Sequence, residues 1–304
     1  MKNVIDVNYK HTDENYNKIV EFLSVQRKLN ENQLWEAGRT NFWSGGLHGT
    51  KEKDDPFFEE NVHMWLDGDQ LVALTISEYG KDDMFIEIAV GYEALITDTL
   101  RWINEEWNNN YDKKVIFCFD TDKDKIEAFE KGGFSFQGPD EYKRIYRVNE
   151  MDYEYETPHG YTISTFSDNP NYEGRVNLSR NVFNNTTTKE DILGLHQSND
   201  YIKELEMIAL SSEGEYSAYC IGWRYPGSVD TGYIEPVGTH SDHRRKGLAS
   251  AIIKECFQRM SKMGIKEVVI ATGASNEVSK YLYDSLNPSK KRTVLRYEKP
   301  CQND

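Results

Sequence analysis

Residues 235–249 read Glu235-Pro236-Val237-Gly238-Thr239-His240-Ser241-Asp242-His243-Arg244-Arg245-Lys246-Gly247-Leu248-Ala249. The apolar run Thr231–Val237 predicts a strand before this polar turn, and the residues after it predict a helix over Gly247–Met263. Apolar residues recur along that helix at the spacing of one buried face, namely Leu248, Ile252, Ile253, Cys256, Phe257 and Met260. A strand, a turn and a helix in this order predict an anion-binding site, because the first amides of a helix have no partner within it.

The side chains of the turn also suit a phosphate group. Gly247 and Ala249 would let the backbone approach phosphate oxygens closely, and Arg244, Arg245 and Lys246 supply positive charge. The alternative is a basic, solvated loop that happens to precede a helix. The position between an apolar strand and an amphipathic helix favours phosphate binding.

The spacing Arg244-x-x-Gly247-x-Ala249 resembles the cofactor motif Q/R-x-x-G-x-G/A of the GNAT family of N-acetyltransferases. The resemblance implies an acetyl-CoA co-substrate whose pyrophosphate lies on the amides from about Arg245 to Ala249, Leu248 included. It also implies that one strand segment pairs its backbone with the pantetheine arm, as an added strand would, through Val237, Gly238 and Thr239. The resemblance does not imply a metal ion.

A second motif follows at residues 276–283, which read Asn276-Glu277-Val278-Ser279-Lys280-Tyr281-Leu282-Tyr283. It resembles the family's N-x-x-A-x-x-L-Y helix, with Ser279 in the place of Ala. The resemblance implies that Asn276 makes a polar contact with CoA and that Tyr283 protonates the departing thiolate. A phenol suits that step because its ordinary pKa is about 10. The alternative is that Tyr283 is only a half-buried tyrosine of the helix.

The helix over residues 277–285 is expected to bury Val278 and Leu282, with Tyr281 and Leu286 as further candidates. After it the family commonly has Gly-Phe, where this chain has Asn287-Pro288. Asn tolerates the left-handed conformation that Gly would adopt, so the helix end is expected to form. The local packing then differs from that of the family because the Phe is missing.

Glu235 is the candidate on the acceptor side of the reaction. Acetyl transfer needs a neutral amine, and a carboxylate could remove the proton, bind a cationic amine, or merely hold a neighbouring loop. Strand alternation predicts that Glu235 and Val237 face the same side of the sheet. Four aromatic residues are candidates for the pocket walls, with core packing as the alternative for each: Phe183, Tyr219, Trp223 and Tyr233.

The two halves of the chain echo one another. Phe85–Gly91 resembles Tyr233–Gly238, and each half predicts strands alternating with helices. We therefore predict an α/β fold of two tandem GNAT-like domains, residues 1–150 and 151–304, each a mixed β-sheet flanked by helices. Predicted strands of the second domain are Met207–Leu210, Tyr216–Arg224, Thr231–Val237, Val268–Thr272 and Thr293–Glu298.

The first copy lacks the motifs of the second. No R-x-x-G-x-G/A spacing follows Val90-Gly91, and Phe129 takes the place of Tyr283. The carboxylates of Glu87 and Glu93 would repel a pyrophosphate. The first domain is therefore interpreted as a degenerate copy that supports the catalytic domain or frames its substrate cleft.

The composition narrows the class of partner. A net charge of −15 without a long Lys/Arg run argues against nucleic acid or an anionic membrane as partner. No stretch is long enough to span a bilayer. Four dispersed cysteines, without a CxxC spacing, predict free thiols in the cytoplasm rather than disulfides or a zinc site: Cys118, Cys220, Cys256 and Cys301.

We therefore expect a cytoplasmic enzyme that transfers acetyl from acetyl-CoA directly to the primary amine of a small acceptor. The alternative is an acyl-CoA-binding sensor or assembly module without turnover. Family resemblance specifies the acetyl donor far better than the acceptor or the oligomeric state.

Overall fold

The structure is a computed structural model that describes residues 3–36, 39–40, 57–107, 111–198, 200–225 and 228–301. Its contacts divide the chain into two units. The first unit is Met1–Tyr142 together with Arg292–Asp304, and the second is Lys143–Lys291. Each unit has its own core of buried apolar residues.

The first unit alternates strands with helices. In chain order its elements are β1 (Val4–Asn8), α1 (Asp13–Leu29), the single turn α2 (Phe57–Glu60), β2 (Val62–Asp67), β3 (Gln70–Ile76), β4 (Asp83–Ile88), α3 (Ile96–Glu105), β5 (Lys113–Phe119), α4 (Lys123–Lys131) and β6 (Ser135–Arg147). The last residues of β6 fall in the second unit.

The second unit repeats this arrangement. Its elements are β7 (Tyr161–Thr165), α5 (Tyr172–Phe183), α6 (Lys189–Gln197), β8 (Glu206–Ser211), β9 (Tyr216–Arg224), β10 (Thr231–Thr239), α7 (Leu248–Lys262), β11 (Glu267–Gly273) and α8 (Glu277–Asp284). The final strand of the chain is β12 (Lys290–Pro300).

Strand direction follows the same rule in both units. Strands β1 to β4 pair antiparallel in sequence order, and β4 then pairs parallel with β5 across the helix α3. Strands β7 to β10 pair antiparallel, and β10 pairs parallel with β11 across α7. A parallel pair needs a helical crossover, so the helix that opens beside the polar turn lies where the topology requires it. The predicted mixed α/β sheets are confirmed.

The last strand differs from the sequence prediction. Expected in the domain 151–304, β12 instead pairs antiparallel with β5 of the first unit, from Val294 opposite Phe119 to Pro300 opposite Lys113. The contacts accordingly assign Arg292–Asp304 to the first unit and begin the second at Lys143. A strand pairs with whichever neighbouring strand has an edge available for hydrogen bonding. The order of residues along the chain does not specify which edge that is.

The amphipathic pattern of α7 is confirmed, because all six residues of its predicted apolar face are buried. The prediction for α8 is confirmed in part: Leu286 is buried and Leu282 is partly buried against the core, whereas Val278 is 68% exposed and Tyr281 76% exposed. This helix has only eight residues, and the single side that it presents to the core is the one that carries Tyr283. This orientation buries Tyr283 and Leu286 and leaves Val278 exposed.

Candidate active site

Strands β10 and β11 separate at the centre of the second unit. Their parallel pairing covers only Thr231 to Tyr233, opposite Glu267 to Val269. On its other edge, β10 remains paired with β9 as far as Thr239. The edge of β10 that faces β11 is therefore open from Ile234 onward, and Val237, Gly238 and Thr239 lie on this open stretch. An extended ligand could pair with it as an added strand.

A bulge in β10 marks the start of the open stretch. The register with β9 shifts between Ile234 and Val237, opposite Gly222 and Cys220 respectively. The extra residue reverses the alternation beyond it. Val237 consequently packs with Ile234 against the core under α7, while Glu235 is exposed. The prediction that Glu235 and Val237 share a face was wrong for this reason.

Gly238 allows α5 to approach the open strand. A methyl group at Gly238 would lie 2.6 Å from Cγ1 of Val182 on α5 and 3.2 Å from the ring of Tyr219. A substituted residue at this position would push α5 away from β10. The helix is also tied to the polar turn, because Ser241 donates its backbone N–H to the side-chain oxygen of Asn181 at 2.8 Å.

The polar turn ends in two left-handed residues. Arg245 has φ +63° and Gly247 has φ +81°. Gly247 is the N-cap of α7 and, having no side chain, leaves the first helical amides without a side-chain cap. Arg244 donates to the backbone oxygen of Thr239 at 3.2 Å, and Lys246 donates to the Tyr161 hydroxyl at 2.8 Å. Free amides and three exposed cations therefore surround the start of the helix, as an anion site requires.

Tyr283 lies at the inner side of α8. Its side chain is only 6% exposed, and its backbone oxygen accepts a 2.7 Å hydrogen bond from the Tyr146 hydroxyl. Burial raises the pKa of Tyr283 to about 12, and the nearby Cys220 and the charge of Glu235 add to the rise. The phenol therefore stays protonated at neutral pH. The two predicted catalytic groups differ in their surroundings, because Tyr283 is buried and Glu235 is exposed.

Asn276 caps the N-terminus of α8. Its side-chain oxygen accepts the backbone N–H of Ser279 at 3.1 Å, and the residue is exposed. The cap takes the oxygen, which leaves the side-chain amide nitrogen as the donor that Asn276 would offer to CoA. Asn276 thus has a structural function that the motif alone did not indicate.

The four predicted aromatic wall residues divide into two groups. Tyr219 and Trp223 are buried and belong to the core, whereas Phe183 is 44% exposed and Tyr233 is partly exposed. Phe183 packs edge-on against Tyr219, with ring centroids 6.2 Å apart. Trp223 stacks on Tyr233, and its indole N–H donates to the backbone oxygen of Glu235 at 2.6 Å.

The sequence did not predict a buried polar cluster that lies beside these aromatic residues. Glu206 is fully buried at the first position of β8. Its carboxylate accepts from Arg175 at 2.8 Å and from the Tyr201 hydroxyl at 2.7 Å, and it lies 2.8 Å from His196 Nε2. The cluster anchors α5 and α6 to the sheet. The only signal was a carboxylate directly before an apolar strand, which is too common to single out.

Among the residues that the structure describes, no group of three or more His, Cys, Asp or Glu side chains could hold a metal ion. No helix within the described ranges is both long and apolar enough to cross a membrane. A cavity of about 410 Å³ lies in the first unit between β1, β2 and α3, and its lining contains none of the predicted site residues.

Residues 179–287 match the acetyltransferase (GNAT) family, and the match includes the polar turn, the start of α7 and Tyr283. No curated protein matches the chain.

Solved structures resemble the chain over nearly its whole length. The GCN5-related N-acetyltransferase from Sphaerobacter thermophilus is 16% identical, with 99% of this chain and 96% of that chain covered at a TM-score of 0.67. A tandem GNAT protein from the clavulanic acid biosynthesis pathway is 10% identical, with 99% of each chain covered at 0.67. A GNAT acetyltransferase from Colwellia psychrerythraea is 8% identical, with 97% of this chain and 99% of that chain covered at 0.65. At these identities the likeness shows the fold.

Proposed function

Because residues 179–287 match the GNAT acetyltransferase family within a chain that has the tandem GNAT fold throughout, we propose that the second unit transfers acetyl from acetyl-CoA directly to a primary amine. The observation that carries this proposal is the separation of β10 from β11 beside an uncapped helix start. Together they offer a strand edge for the pantetheine arm and free amides for the pyrophosphate.

The cofactor-binding residues act mainly through backbone. Amides at the start of α7, in residues 245–249, bind the pyrophosphate, and Arg244 and Lys246 add charge. The edge of Val237, Gly238 and Thr239 holds the pantetheine. An amide of this edge, such as that of Val237, polarises the thioester carbonyl in the tetrahedral intermediate.

Glu235 and Tyr283 move the protons of the reaction. Glu235 takes a proton from the acceptor ammonium, and the neutral amine forms the new C–N bond at the thioester carbon. The C–S bond then breaks, and Tyr283 donates its hydroxyl proton to the thiolate. The nitrogen of the new amide and the Glu235 carboxylic acid each lose one proton to solvent, and the Tyr283 phenolate regains one from solvent. With a pKa of about 12, the Tyr283 hydroxyl is protonated at neutral pH and so has a proton to donate.

A covalent cysteine intermediate does not fit the site. Cys220 and Cys256 are buried, and burial raises the pKa of Cys220 well above its ordinary value, so its thiol does not ionise near neutral pH. The net charge of −15 favours a cationic small-molecule acceptor over nucleic acid. The free thiols and the acetyl-CoA requirement suit the cytoplasm. In this proposal the first unit supports the second or frames its substrate cleft.

Calorimetry with acetyl-CoA and thiol release with a panel of amines test the proposal. We expect one acetyl-CoA bound per chain and turnover on at least one of spermidine, tyramine, L-lysine and glucosamine. A protein without measurable affinity for acetyl-CoA or CoA would refute the assignment. Tight binding without turnover on any amine would favour a sensor that has kept the cofactor site.

A further inference from the structure

The bulge of β10 interrupts the regular register between β10 and β9. The register shifts between Ile234 and Val237, so that Glu235 and Pro236 lie opposite a single residue of β9. Pro236 also has no N–H to donate. The carboxylate assigned as base therefore lies in the bulge, and the amides assigned to the thioester follow it directly.

Trp223 provides a contact at this point. Its indole N–H donates to the backbone oxygen of Glu235 at 2.6 Å. The bond joins the paired part of β9 to the bulge, directly before the open edge of β10. A tryptophan indole has one donor and no acceptor, so the bond fixes the orientation of this carbonyl.

The ring of Trp223 is itself held in place. It is 2% exposed and stacks on Tyr233, with centroids 6.2 Å apart and planes 17° from parallel. Tyr201 meets it edge-on at 6.4 Å, and the Tyr201 hydroxyl bonds to the buried carboxylate of Glu206. The polar cluster around Glu206 therefore braces the side chain that holds the bulge.

We propose that Trp223 is a positioning residue of the active site: its indole N–H holds the bulge, and so sets Glu235 and the Val237–Thr239 edge relative to Tyr283. This inference rests on the proposed function of Glu235 and of that edge. Trp223 is 2% exposed, and its indole N–H bonds to the backbone of the bulge. It acts through the backbone of Glu235.

The matched pair of variants is Trp223→Phe and Trp65→Phe. Both replace a buried tryptophan, 2% and 3% exposed respectively, and Trp65 lies on β2 of the first unit. Both lose ring volume, but only Trp223→Phe removes the bond to the bulge. The comparison therefore separates the loss of one donor from the loss of packing.

The first measurement is hydrogen exchange of a peptide that covers residues 233–240, on the full chain without ligand. We expect exchange to accelerate at least tenfold in Trp223→Phe and to be unchanged in Trp65→Phe. This readout does not need an acceptor, so it tests the inference even if no amine is acetylated. Unchanged exchange in Trp223→Phe would overturn it.

The second measurement is kinetic, with the panel amine that the unaltered protein acetylates fastest. We expect kcat to fall tenfold or more in Trp223→Phe and KM for acetyl-CoA to rise by a smaller factor, because the reacting groups and the Val237–Thr239 edge are displaced while the amides that bind the pyrophosphate, in residues 245–249, are unchanged. A kcat within twofold of the unaltered protein would contradict the inference. Equal losses of kcat, acetyl-CoA affinity and melting temperature would also contradict it, since they indicate a structural role alone.

Discussion

The two units have the same strand arrangement, but they differ at the place where the two central parallel strands separate. Strand β4 pairs with β5 only at Asp83 and Met84 but with β3 as far as Ile88, so the separation seen between β10 and β11 recurs in the first unit. There, however, the Lys125 ammonium donates to the backbone oxygen of Ile86 at 2.7 Å. A side chain of the first unit thus occupies the edge that the second unit leaves open.

The turn after β4 differs from the turn after β10 in the same way, because groups of the protein itself occupy its backbone amides. In the first unit the carboxylate of Glu93 accepts the Gly91 N–H at 2.7 Å, and the Gln26 side chain accepts the Val90 N–H at 3.1 Å. These two amides, which correspond in the sequence echo to those of Val237 and Gly238, are satisfied by the protein's own oxygens. A carboxylate here also repels a second anion.

The helices that follow can be aligned through their caps. Asp122 caps α4 on the N–H of Lys125, and Asn276 caps α8 on the N–H of Ser279. Seven residues after each cap stand Phe129 and Tyr283, both buried. The position is thus kept as a buried aromatic ring in both units, and only the second has a hydroxyl. A shared fold preserves packing and leaves chemistry to the individual site.

The largest expected effect comes from removing the Tyr283 hydroxyl. Tyr283→Phe should lower kcat about 100-fold with little change in KM for acetyl-CoA, because general-acid catalysis typically contributes a factor of about 100 or more. Steady-state thiol release measures both constants. The exposed neighbour Tyr281→Phe is the control and should keep full activity.

The reciprocal change, Phe129→Tyr, places a hydroxyl in a fully buried site of the first unit and should add no activity. Full activity of Tyr283→Phe would remove the general-acid assignment and, with it, the functional contrast between the two positions.

Gly238→Ala tests whether the open edge depends on the close approach of α5. A methyl group 2.6 Å from Val182 should destabilise the protein by about 1–3 kcal/mol in urea unfolding. Adding Val182→Ala should recover part of the loss. Gly194→Ala is the control, because nothing lies within 4 Å of its added methyl group in α6. Equal effects of Gly238→Ala and Gly194→Ala would exclude steric contact as the reason for the glycine.

A smaller and pH-dependent effect is expected at Glu87, the carboxylate that echoes Glu235 in sequence. Glu87 is buried and accepts the backbone N–H groups of Leu34 at 2.9 Å and Trp35 at 2.6 Å. Burial raises its pKa from 4.5 to about 7, although Lys125 and the two amides oppose the rise. The folded state therefore favours the protonated form. Its contribution to stability is complete below about pH 4.5 and declines as pH rises through about 7.

Glu87→Gln, which cannot ionise, should match the unaltered protein at pH 4.5 and exceed it by on the order of 1–2 kcal/mol at pH 8. Urea unfolding at both pH values measures the difference. A stability difference that does not change with pH would show that Glu87 has the same charge in both states.

Local patterns predicted most elements and the residues of the site. The strand before the turn, the amphipathic face of α7 and the motif at residues 276–283 each depend on neighbours within a few positions. The bulge was not predicted, although Pro236 inside a strand was its visible sign. The orientation of α8 was also not predicted, because eight residues contain too few apolar positions to define a face.

By itself, the sequence determined that a strand, a phosphate-suited turn and a helix occur in this order, and that only the second copy carries Arg244, Gly247 and Tyr283. Such features are local, since capping, periodicity and spacing act over one or two turns of chain. Only the tertiary structure decided that β12 joins the first unit, that Lys125 fills the first cleft, and that Trp223 holds Glu235. Those contacts join residues that are distant along the chain or lie on different elements, and the free energy of packing selects them.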